Sequence, residues 1–124
     1  MENDPISIYE VSAMTGRQTV QCHELRLYGD RLADGSDIVW HFKDYAAVRW
    51  LPAVPEMPFA RLLFITPEEA ASGVKIILSP LRPDDAQIMF FSEYGTFSSV
   101  NHYVQELYAD VKAAFDAYKG SELL

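Results

Sequence analysis

Cysteine is nearly missing from this chain. Cys22 stands alone among 124 residues, so no internal disulfide can form and no cysteine pair is there to grip zinc. A reducing compartment is the simpler setting, and a cytoplasmic location is expected. Cations are the second shortage: 10 Lys and Arg stand against 18 Asp and Glu, a formal net charge of -8. A surface of that sign repels nucleic-acid phosphate and anionic headgroups alike. Nucleic acid is therefore not an expected partner, and membrane lipid is disfavoured. Long hydrophobic runs are missing too, since nothing approaches the roughly 18 apolar residues of a membrane-spanning helix. The opening Met1-Glu2-Asn3-Asp4-Pro5 lacks the basic-then-apolar order of a secretory leader, and Glu2 stands where myristoylation requires glycine.

What is present is apolar and aromatic. Hydrophobic residues make up 49% and aromatics 13%, enough at this length for one folded domain, 1–124, around one core. The clearest periodicity runs from Ser99 to Lys119. Val100, Tyr103, Val104, Leu107, Tyr108, Val111, Ala114, Phe115 and Tyr118 recur every three or four residues and predict an amphipathic helix. Gly120 is expected to stop it in a left-handed cap, and Ser98 or Ser99 to cap its start. Ahead of it the pattern is of short strands: Ile6 to Thr15, Thr19 to Tyr28, Ile38 to Phe42, Ala46 to Trp50, Arg61 to Thr66, Val74 to Ser79 and Gln87 to Ser92. The alternation of the first slips between Ile6/Ile8 and Tyr9/Val11/Ala13, which predicts either a bulge or a late strand start. Pro52, Pro55 and Pro58 make 51–58 a stiff loop. The short connections after residue 66 predict an antiparallel meander of the last three strands.

Leu25-x-Leu27-x-x-x-x-Leu32 followed by Trp40-x-Phe42-x-Asp44-Tyr45-x-x-Val48 resembles the second and third strands of bacterial pleckstrin-homology-like domains. The resemblance covers nearly the whole order of elements. It implies a mainly β fold, a bent antiparallel barrel of six or seven strands capped by a C-terminal α-helix, here 99–119. It also raises phosphoinositide binding, which in that family draws on basic residues of the first two strands and their loop. This chain offers only Arg17, Arg26 and Lys43 as anion-site candidates, with Glu10 and Glu24 nearby, so the family's lipid pattern is not reproduced.

No reaction centre stands out. Cys22 and His23 are neighbours on a strand and point to opposite faces, which keeps a thiolate from its base. His23, His41 and His102 follow no zinc-ligand spacing. Glu68-Glu69 and Asp84-Asp85 read as turn charges, and Gly73 and Gly95 open no phosphate loop. No enzyme activity, cofactor or metal is expected. Aromatic residues are the better functional signal: Trp40, Tyr45, Trp50, Met57, Tyr103 and Tyr108 are candidates for an interaction surface, with structural packing as their ordinary alternative. The expectation is a non-enzymatic protein-interaction or assembly module that binds a protein partner or itself; the alternative is a lipid or small-ligand binder.

Overall fold

The computed structural model describes residues 4–15, 20–34, 38–56, 58–72, 87–91 and 97–122. Four strands come first: β1 (Ser7–Thr15), β2 (Val20–Leu27), β3 (Arg31–Asp34) and β4 (Val39–His41). A 3-10 turn (Phe42–Asp44) leads into β5 (Ala47–Leu51), β6 (Phe59–Ile65), the short helix α1 (Pro67–Ser72), β7 (Gln87–Phe91) and the long helix α2 (Phe97–Glu122). All pairings are antiparallel, in the order β4-β3-β2-β1-β7-β6-β5. Among the described residues β4 and β5 are the two edges of this order, so the strands do not close into a barrel.

The sheet falls into a four-strand block, β1 to β4, and a three-strand block, β5 to β7, and β1 belongs to both. Its register against β2 shifts between Glu10 and Ala13: Glu10 pairs with Glu24 and Ala13 with Cys22, one residue more on β1 than on β2. Beyond that shift, Ala13, Met14 and Thr15 pair with Phe90, Met89 and Ile88 of β7. The extra residue thus sits where β1 begins to pair with the second block, the place where a bulge bends and twists a strand. The slip in the sequence falls earlier, between Ile8 and Tyr9, where the ladder is regular, and β1 begins at Ser7.

The core lies between the sheet and α2. From β2, β3 and β4 it takes Leu25, Leu27, Leu32 and Trp40; from β6 and β7, Ala60, Leu62, Phe64, Ile88 and Phe90. Helix α2 adds Val100, Val104, Leu107, Val111 and Phe115. Each such Leu, Val or Phe side chain, once fully buried, contributes about 1.5–3 kcal/mol. Phe42 of the 3-10 turn meets Phe115 and Tyr118 edge-on, with ring centroids 5.3 and 6.2 Å apart.

Several expectations need correction. Helix α2 starts at Phe97 and runs through Gly120 to Glu122, so Gly120 is a helical residue and not a left-handed stop. A glycine inside a helix costs only about 1 kcal/mol relative to alanine, and the turn before it is anchored on Phe42. The meander of the last three strands also fails as drawn, because β6 and β7 are direct neighbours; Val74 to Ser79 lies outside the described residues. The stretch around Leu32 forms a strand of its own, β3. Glu68-Glu69 is not a turn: Thr66 and Glu69 cap α1 reciprocally. The Thr66 N–H donates to Glu69 Oε1 at 3.0 Å and the Glu69 N–H to Thr66 Oγ1 at 3.1 Å. Thr66-Pro67-Glu68-Glu69 carries the sequence signature of that box, with proline at the first helical position.

Candidate functional site

Of the six aromatic and methionine candidates, most are occupied in holding the fold together. Trp40 is 0% exposed and stacks on Phe64 at 5.8 Å, so it is core and no part of a surface. The alternation of β4 turns it inward together with Leu32, its cross-strand partner. Tyr45 is half-buried with its ring 5.2 Å from that of Phe64, and Trp50 is half-buried against the core opposite Leu62. Tyr103 and Tyr108 also pack on the core, and their hydroxyls fasten α2: Tyr103 donates to the Glu10 carbonyl and Tyr108 to the Val48 carbonyl, each at 3.2 Å. Met57 lies outside the described residues.

These fastenings form a polar seam along both flanks of α2. On the β1 side, the Tyr9 hydroxyl donates to Asp110 Oδ2 at 2.6 Å. Burial, reinforced by that carboxylate, pushes the Tyr9 phenol up to about 12. On the β5 side, Asn101 embraces the backbone of Ala53, donating from Nδ2 to its carbonyl at 3.2 Å and accepting its N–H on Oδ1 at 2.7 Å. Asn101 and Tyr108 therefore occupy backbone groups of β5 and of the chain that continues it. That is one way a protein keeps an edge from recruiting a foreign strand.

Of the anion-site candidates, Arg26 and Lys43 fall among the described residues. The Arg26 guanidinium holds Glu24 at 2.6 Å, which raises its own pKa and commits its charge locally. Lys43 is exposed on the 3-10 turn, and Arg17 lies outside the described residues. His41 is on β4 and His102 on α2, where it faces Glu106 at 3.3 Å. The side chains of Cys22 and His23 lie outside the described set. No group of three or more metal-ligating side chains occurs among the described residues.

Sequence reasoning missed the outward face of the four-strand block. Cross-strand pairing runs Ile8–Arg26–Ala33–Val39 across β1 to β4. Ile8 is 55% exposed and Val39 38%, and Ile6, just ahead of β1, is 63% exposed. On one side of that row lie Arg31 and His41, which pair with each other across β3 and β4. The Arg31 guanidinium sits 3.9 Å above the Tyr28 ring and 2.6 Å from Asp30. On the other side Glu10 and Glu24 stand directly opposite one another. The signal was there to read: around Ile6 and Ile8 both parities of the strand are apolar, which a strand wet on one face does not need.

No protein-family model, curated protein or solved structure matches the chain. No helix among the described residues is long and apolar enough to cross a membrane.

Proposed function

We propose that this chain is a non-enzymatic interaction module on a pleckstrin-homology-like scaffold, and that its contact surface is the outward face of β1 to β4. Support for the scaffold comes from the four-strand and three-strand blocks and the long C-terminal helix packed on their shared core. The observation that carries the function is the exposure of Ile8 and Val39 in one cross-strand row of β1 to β4, with exposed Ile6 just ahead of β1. Single exposed apolar residues are ordinary, whereas a set of them on one side of a sheet, rimmed by charge, marks a contact site.

The test is site-specific photo-crosslinking of the full chain in its native cells. A photo-reactive residue at position 8 is expected to give covalent protein adducts, and one at position 116, on the exposed side of α2, none. Equal labelling from both positions, or adducts to lipid alone from position 8, would overturn this reading. The second outcome would favour a lipid-binding role.

A further inference from the structure

We draw no further inference here: the strongest candidate, the outward face of β1 to β4 around the exposed Ile8 and Val39, belongs to the contact site already proposed, and nothing in the structure shows what covers it.

Discussion

The two strand blocks solve burial differently. In β5 to β7 the central strand is covered on both sides: Ala60, Leu62 and Phe64 face the core under α2, while Arg61, Leu63 and Ile65 on the reverse are also buried. In β1 to β4 only one side is covered. Leu25, Leu27, Leu32 and Trp40 are sealed inside, and the residues that alternate with them, among them Ile8 and Val39, stay in water. A reverse face that is already buried has little left to offer a partner. The block with an uncovered apolar row is the one whose stability and surface chemistry are separable, and for that reason the proposed contact site is placed there.

Mutations can break this contrast or sharpen it. The largest effect is expected from Leu63→Ala, which points away from α2 yet should cost about 2–5 kcal/mol in urea denaturation, as any core leucine does. A cost below about 0.5 kcal/mol would mean that the second block is one-sided after all. Asn101→Ala comes next. It strips a donor and an acceptor from the Ala53 backbone and should cost about 1–3 kcal/mol, with faster amide exchange at Ala53 and neighbouring positions of β5.

A smaller effect belongs to Tyr9. Its phenol is raised to about 12 in the folded chain against about 10 when unfolded. Its contribution is therefore complete below pH 10 and is lost as pH rises through about 12. Tyr9→Phe should remove that component of the alkaline transition and leave the neutral-pH fold intact. The smallest change in stability is expected for Ile8→Ser in dilute solution, within about 0.5 kcal/mol of wild type.

How much of this was legible in the sequence follows the same division. The three-four spacing from Val100 to Phe115 gave α2, because one apolar stripe packed on one core leaves a clean period. The bulge in β1 was not located by the broken alternation at Ile8 and Tyr9, since the register shift falls between Glu10 and Ala13. The continuous apolar run Leu62-Leu63-Phe64-Ile65 carried the signature of a strand buried on both faces, and the box Thr66-Pro67-Glu68-Glu69 that of a helix start; neither was read. Pairing of β6 with β7 across a long connection was not legible, because local pattern carries no information on which distant strand comes alongside. The surface candidates misfired for a related reason. Aromatic type marks Trp40 and Tyr108 equally as core or interface, and only the fold shows Trp40 facing inward and the Tyr108 hydroxyl spent on Val48. Ile6 and Ile8, aliphatic and unremarkable in type, are what the fold leaves outside.

Hydroxyl-radical footprinting of the full chain, dilute and concentrated, tests the two-faced account of β1 to β4 most directly. Ile8 and Val39 are predicted to be modified readily in dilute protein, while Trp40 stays unreactive at either concentration. Protection of Ile8 already complete at high dilution, or Trp40 oxidised as fast as Ile8, would contradict the account.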